Sequence, residues 1–228
     1  MAGLSWMTVV LVFLLSTDYS LADVDQNKLT QIVKVMTDTY NIRNQVSVAV
    51  NIPENQDVNQ LNDAFWNPQA VAKTIKKKLV YIDNGRIVAA KPEVHRDYTV
   101  HAEVRVLGNM QTLVNSANGH FLVFYSFLSS CSENCMNPSS EYSIIPKINE
   151  VFPSWNQFAF VFSKVFEKTS KGEAIPKADI VEALKQLGKS KVGYNNVFRC
   201  YEPKNKDFQC INCFNGEEPV DQCLANDN

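Results

Sequence analysis

Apolar residues recur at helical spacing near both ends of the chain. The first stripe has spacings of three, four and seven positions and comprises Leu29, Ile32, Val33, Met36 and Tyr40. The second lies within residues 176–188, where Pro176 stands in the first turn and Gly188 at the position that ends a helix. Both stripes predict amphipathic helices that bury one face against a core.

Short apolar runs of strand length lie between these helical segments. Residues 45–50 alternate polar with apolar side chains, and two runs around Asn84-Gly85 predict a hairpin. Residues 121–128 are apolar or aromatic apart from Ser126, which predicts a central strand covered on both faces. Further strands are predicted at 158–162 and 192–198, and helices at 62–78 and 104–114. Helices alternating with strands predict an α/β fold, a layered sandwich with helices on both faces of one sheet.

The first 22 residues form a separate segment. Residues 9–15 are a short apolar run, residues 16–20 are polar, and Ser20-Leu21-Ala22 places small residues where signal peptidase requires them. The apolar run is too short to span a bilayer, so a membrane anchor is the weaker alternative. We therefore predict a signal peptide at residues 1–22, a secreted product and no membrane partner.

Secretion changes the interpretation of the six cysteines, since an oxidising compartment allows disulfides to form. Cys131 and Cys135 lie in mid-chain, and four others crowd among polar and turn-forming residues near the end: Cys200, Cys210, Cys213 and Cys223. This terminal set predicts two disulfides in one of three connectivities, between which the sequence does not choose. A zinc site on its Cys-x-x-Cys pair is the alternative, although the segment has no histidine. The mature chain is therefore divided into a folded domain, 23–199, and a cysteine-rich tail, 200–228.

One constellation of residues in mid-chain has the spacing of a catalytic metal site. His101 and Glu103 open the helical stripe at 104–114, and if a helix begins at Cys131, its sulfur and that of Cys135 point to one side. Zinc favours thiolate and imidazole ligands, and three of them leave the fourth position to water. Glu103, two residues past a ligand, is placed to take a proton from that water. Each short motif is weak evidence alone, but their order around a buried strand is specific.

Net charge limits how nucleic acid could be held. The chain has 22 Lys and Arg against 24 Asp and Glu, a formal charge of -2, so no overall positive field attracts a polyanion. Lys164, Lys168 and Lys171, among Phe162 and Phe166, predict a modest basic and aromatic groove after the fourth strand. Aromatic residues at this spacing also suit a core, which is the alternative. Any polynucleotide must therefore be held locally.

At this point the motifs identify a relationship. His101-Ala102-Glu103 and residues 129–135 resemble the zinc-binding motif of the cytidine deaminase superfamily, and residues 124–127 resemble its AID/APOBEC branch. With the leader and the terminal cysteines, the chain is similar to the secreted AID/APOBEC-like deaminases described in fish. The resemblance implies a cytidine-deaminase-like three-layer α/β/α sandwich over 23–199 with a five-stranded mixed sheet, followed by the disulfide-rich tail. It also implies one Zn²⁺ held by His101, Cys131 and Cys135.

The implied activity is hydrolytic deamination of cytosine to uracil, with Glu103 shuttling protons. The expected partners are single-stranded DNA or RNA, or free cytidine nucleoside, met outside the cell in innate immunity. The family usually has proline before the first cysteine, where this chain has Ser130, so a catalytically inactive, zinc-containing nucleic-acid-binding protein is the alternative. A third possibility is that Cys131 and Cys135 are oxidised and bind no metal. Neither the oligomeric state nor the pairing of the terminal cysteines follows from the sequence.

Overall fold

The computed structural model describes residues 24–65, 67–83, 85–131, 135–137, 139–169 and 171–226, and the predicted signal peptide lies outside them. The helices are α1 Gln26–Thr39, α2 Pro68–Lys76, α3 Ala102–Leu107, α4 Gln111–Val114, α5 Ile145–Val151 and α6 Lys177–Lys189. The strands are β1 Ser47–Pro53, β2 Tyr81–Ile82, β3 Ile87–Ala90, β4 Glu93–Val94, β5 Thr99–Val100, β6 His120–Leu128, β7 Gln157–Lys164, β8 Val197–Tyr201, β9 Gln209–Asn212, β10 Phe214–Asn215 and β11 Glu218–Pro219.

One mixed sheet organises the described chain. Its order is β2-β3-β1-β6-β7-β8-β9, in which β6, β7 and β8 are parallel and the other pairs are antiparallel. The expected number of five strands is therefore wrong, because the sheet has seven. Its two edge strands are short, and β9 comes from the cysteine-rich tail, where the Cys200–Cys210 disulfide joins it to β8.

The central strand β6 is buried on both faces, as its apolar run predicts. Leu122 and Phe124 pack in a core cluster with residues of α3, α4, α5 and α6. Val123 and Tyr125 face the opposite way, into a cluster with residues of α1 and α2. Helices therefore cover both faces of the sheet, and the predicted three-layer α/β/α sandwich is confirmed.

Local sequence accounts for where several helices begin and end. Asp25 caps α1 by accepting hydrogen bonds from the backbone N–H groups of residues 27 and 28. The stripe at 104–114 forms two short helices rather than one, since α3 gives way to turns from Gly108 before α4 begins. Gly188 lies inside α6 and does not end it, because the helix continues to Lys189. Glycine is needed there by close packing, as an added Cβ would lie 2.3 Å from the Tyr194 ring.

The tail folds back against the sheet and is held by two disulfides, Cys200–Cys210 and Cys213–Cys223. This pairing is one of the three that the sequence left open. Between the second pair, β10 and β11 form a small antiparallel hairpin. No helix in the part of the chain that the structure describes combines the length and the apolar character needed to cross a membrane.

Candidate metal centre and active site

Three potential metal ligands converge at the start of α3 and the end of β6. His101 occupies the N-cap position of α3, in extended backbone conformation, and Cys131 follows β6 after two serines. The nitrogen of His101 and the sulfurs of Cys131 and Cys135 all lie within 4.8 Å of one another. His101 Nδ1 is 3.0 Å from the Cys135 sulfur and 3.9 Å from the Cys131 sulfur, and the two sulfurs are 2.8 Å apart. Both cysteines are free thiols.

Backbone hydrogen bonds hold both cysteines of the pair. Met136 N donates to the carbonyl of Cys131 at 3.1 Å, and Ile144 N donates to the carbonyl of Cys135 at 2.8 Å. The Cys135 side chain is buried in the core, where it is 1% exposed. The predicted helix from Cys131 lies partly outside the described residues, since 132–134 are not among them.

Hydrogen bonding within the cluster favours a thiolate at Cys131. A hydrogen bond from the Cys135 thiol, and a second from His101, lower the pKa of Cys131 against the opposing effect of burial. The same bond, together with burial, raises the pKa of Cys135, and the contact with Cys131 raises the pKa of His101. Zinc binds the thiolate form of cysteine and imidazole nitrogen in one tetrahedral set. The donor set therefore fits Zn²⁺, with three protein ligands and one position for water.

Glu103 lies in the first turn of α3, two residues after His101, and is 6% exposed. Its Oε1 accepts a 2.8 Å hydrogen bond from Ser126 Oγ on β6. Ser126 in turn accepts a 3.2 Å bond from Ser47, its direct partner on β1. Burial raises the pKa of the Glu103 carboxyl, and the bond from Ser126 acts in the opposite direction. The result is a buried carboxyl in one orientation, able to hold a proton closer to neutral pH than an exposed glutamate.

A cavity of about 380 Å³ opens beside these groups. His101, Glu103, Ser126 and Cys131 form its inner wall, and the remaining lining residues include Pro92, Val94, Thr99, Ser129, Phe166, Lys168 and Thr169. This volume is within the range of small-molecule sites. A ligand in the cavity would therefore contact the metal-binding cluster and the carboxyl together.

The residues of the predicted basic and aromatic groove do not lie together in the structure. Phe166 and Lys168 line the site cavity. Phe162 is fully buried in the core, as the alternative interpretation predicts for it. Lys164 lines a separate cavity of about 370 Å³, together with residues of α1 and β8, and Lys171 is exposed. The predicted groove is therefore present only as the Phe166 and Lys168 wall.

Two features of the site were not predicted. The hairpin of β4 and β5 carries Tyr98, 48% exposed, which stacks on His95 at 4.4 Å and on Tyr142 at 6.1 Å between ring centroids. The second is the pair of serines behind Glu103. A signal for it exists in the sequence, because Ser126 is the one interruption of an otherwise apolar strand and a buried hydroxyl needs a partner.

A His, Cys, Cys donor set beside a buried glutamate, on a three-layer α/β/α sandwich, is the arrangement of the zinc-dependent base deaminases. Residues 26–227 match the family model of the Secreted Novel AID/APOBEC-like Deaminase 1, and the chain belongs to this family. The predicted relationship to secreted AID/APOBEC-like deaminases is thereby confirmed. Comparison with the curated proteins gives no match, and neither does comparison with the solved structures.

Proposed function

We propose that this deaminase is a secreted, zinc-dependent enzyme that hydrolyses cytosine to uracil in extracellular single-stranded nucleic acid or nucleosides, as part of innate immunity. One observation carries the proposal: three zinc-type donor atoms within 4.8 Å of one another lie on the same cavity as a buried glutamate. This combination provides both a metal position and a proton carrier at one place. Membership of the deaminase family supports the reaction class.

His101, Cys131 and Cys135 would hold the zinc. Bound there, zinc supplies the Lewis acidity that activates water at neutral pH. Glu103 would take a proton from the attacking water and pass it to the base, so that the C4–N bond breaks, the amino group leaves as ammonia and the water oxygen becomes the carbonyl oxygen of uracil. Its buried position suits this exchange because burial raises the pKa of the carboxyl. Ser126 holds the Glu103 carboxyl in one orientation, so the proton moves along a fixed path.

The choice of cytosine comes from the family, and the site walls suggest how the rest of the substrate is held. A base must leave any stacked helix to enter this cavity, so a single strand or a nucleoside is the expected form. Lys168 lies on the cavity wall and can contact a phosphate, while Phe166 offers an apolar surface. The stacked rings of His95, Tyr98 and Tyr142, next to the cavity-lining Thr99, form an aromatic cluster against which a neighbouring base can stack, with Tyr98 at its centre. These local contacts suit a protein with net charge of -2.

Two observations support action outside the cell. The structure has two disulfides, Cys200–Cys210 and Cys213–Cys223, which persist in oxidising compartments. The family is named for secretion. The signal peptide at 1–22 and the division into a domain at 23–199 and a tail at 200–228 stay predictions.

The test measures uracil formed from cytidine and from single-stranded oligonucleotides by protein purified from an oxidising secretory host. Glu103→Gln keeps the size of the side chain and removes its ability to carry a proton, so turnover should fall below detection. Glu217→Gln, an exposed glutamate in the tail hairpin, is the matched control and should behave as wild type. Equal turnover by wild type and Glu103→Gln would sink the catalytic assignment.

Metal analysis with thiol counting accompanies this assay. The proposal expects one zinc per chain, thiols only at Cys131 and Cys135, and four oxidised cysteines. A protein with no metal and no free thiols would instead support oxidation of that pair.

A second candidate is a zinc-containing nucleic-acid-binding protein without turnover. Ser130 favours it: the residue is 8% exposed, and its hydroxyl has no hydrogen-bond partner among the described residues. The family usually has proline at this position, which would fix the backbone before the first cysteine. This candidate predicts zinc and oligonucleotide binding in wild type with no uracil formed.

A further inference from the structure

The loop that follows β7 forms one wall of the site cavity. Phe166, Lys168 and Thr169 line the cavity, as does Ser129, whose hydroxyl accepts a 2.9 Å hydrogen bond from the Phe166 backbone. Beyond the cavity the loop turns back on itself, and Lys168 pairs with Ala174 in an isolated bridge. The position of this wall therefore depends on what holds the first residues of the loop.

Asn226, from the far end of the described chain, holds those residues. Its Oδ1 accepts from the backbone N–H of Val165 at 2.9 Å, and its Nδ2 donates to the Val165 carbonyl at 2.9 Å. The side-chain amide thus pairs with both backbone groups of one residue, as a neighbouring strand would. Asn226 also binds both carboxylate oxygens of Glu167, through its backbone N–H at 2.7 Å and through Nδ2 at 2.7 Å. Phe166 lies between the two residues that Asn226 holds.

Asn226 is itself fixed from behind. Buried Arg199 on β8 donates to the carbonyls of Gln222 and Ala225 and to Asn226 Oδ1, the last at 3.2 Å. The Cys213–Cys223 disulfide anchors the chain three residues before Asn226. Arg199 and the disulfide therefore fix the tail segment 221–226, and Asn226 connects this segment to the cavity wall.

We propose that Asn226 is a positioning residue for substrate binding: it places Phe166 and Lys168 where they contact the nucleotide. The inference rests on the proposed function. Lys168 offers an ammonium group for a phosphate of the strand, and Phe166 offers a ring face for a base or sugar. Neither residue carries the proton, so loss of the support weakens binding of a phosphate-bearing substrate and leaves the chemical step intact.

Asn226→Ala removes four side-chain bonds, three to the loop and one from Arg199, while the backbone bond to Glu167 remains available. With a single-stranded oligonucleotide carrying one cytosine, we expect KM to rise about tenfold and kcat to stay within about twofold. Asn195→Ala, at an exposed asparagine remote from the loop, is the control and should leave both constants unchanged.

Exchanging the charges of residues 226 and 167 distinguishes a positioning role of Asn226 from a general loss of structure. Asn226→Asp places a carboxylate against Glu167 and should raise KM as the alanine variant does, since two like charges then meet at the former hydrogen-bond distance. Adding Glu167→Gln removes the charge repulsion and restores the total charge of wild type, so KM should fall part of the way back, while the Val165 carbonyl still lacks the donor that Asn226 Nδ2 provided. A merely destabilised fold would not be repaired by this second change.

Amide hydrogen exchange gives a readout that does not depend on turnover. In Asn226→Ala, exchange over residues 165–169 should accelerate at least about fivefold, because the Val165 N–H has lost its acceptor. The Cys213→Ser/Cys223→Ser double variant, which releases the same tail segment, should also show faster exchange over residues 165–169. Removing the other disulfide with Cys200→Ser/Cys210→Ser leaves that segment anchored and should not produce this local change.

Faster exchange over residues 165–169 together with the KM rise supports the proposal. Unchanged exchange, or a fall in kcat with unchanged KM, overturns it. If wild type forms no uracil, the proposed function fails. The role of Asn226 is then tested separately, by comparing the oligonucleotide dissociation constants of Asn226→Ala and wild type. A constant raised about tenfold supports it, while equal binding, or no binding by either protein, overturns it.

Discussion

Replacing Ser126 with alanine removes the side-chain donor that orients the Glu103 carboxyl. The Ser126 hydroxyl lies 2.8 Å from Glu103 Oε1, and the two residues are 3% and 6% exposed, so the bond is largely shielded from bulk solvent. A hydrogen bond to a charged group contributes about 1.5–3 kcal/mol. If the whole of this contribution is present in the transition state, kcat/KM falls by about 10- to 150-fold.

The matched control is Ser47→Ala, one step further from the site. Ser47 donates to Ser126 at 3.2 Å and lies opposite it on the neighbouring strand, so its loss leaves the Glu103 bond in place. A neutral hydrogen bond contributes about 1 kcal/mol, which limits the effect on kcat/KM to about fivefold. Both variants remove one buried hydroxyl from the same sheet, so their losses of folding stability should be similar.

The assay is uracil formation from a single-stranded oligonucleotide, with zinc content and thermal unfolding measured on the same preparations. Zinc content should be unchanged in both variants, because neither serine belongs to the metal-binding cluster. A Ser126→Ala protein with wild-type kcat/KM would refute the reasoning. Equal losses of activity in Ser126→Ala and Ser47→Ala would refute it as well, since the effect would then follow stability and not the orientation of Glu103.

Three further predictions follow from single contacts. His101→Ala should lose the zinc and with it all turnover, while Glu103→Gln should keep one zinc per chain. Metal analysis after dialysis distinguishes these two outcomes. Zinc retained by His101→Ala would contradict the ligand assignment. Tyr98→Ala should raise KM several-fold for an oligonucleotide but leave KM for cytidine unchanged, because only a strand has a neighbouring base to stack; equal effects on both substrates would count against this role. Gly188→Ala should lower the free energy of unfolding by about 1–3 kcal/mol through collision with the Tyr194 ring, and unchanged thermal unfolding would contradict it.

The parts of the fold with strong periodicity were predictable from sequence. The apolar run that forms β6 and the stripe that forms α1 each match the structure within about three residues at either end. The edge strand β9, with sequence Gln-Cys-Ile-Asn, has no apolar alternation, and its place depends on pairing with β8. The break between α3 and α4 was missed because the apolar stripe continues through it.

The candidate site divides in the same way. His101, Cys131 and Cys135 could be grouped from sequence because zinc chemistry restricts both residue type and spacing. The hydrogen bonds that support this site could not be predicted from sequence. Ser47 and Ser126 are 79 residues apart in the chain, and Val165 and Asn226 are 61 apart. Serine and asparagine suit so many surface positions that their identity gives no information about a partner at that distance.

The protection of the two sheet edges has a consequence for the protein at high concentration. At one end, β2 is only two residues long, which gives a second molecule little backbone to pair with. At the other, the outer N–H of Cys210 on β9 already donates to the Thr30 hydroxyl of α1 at 3.0 Å. Strand-to-strand association between copies is therefore disfavoured at both ends, and the protein should resist edge-to-edge aggregation as its concentration rises.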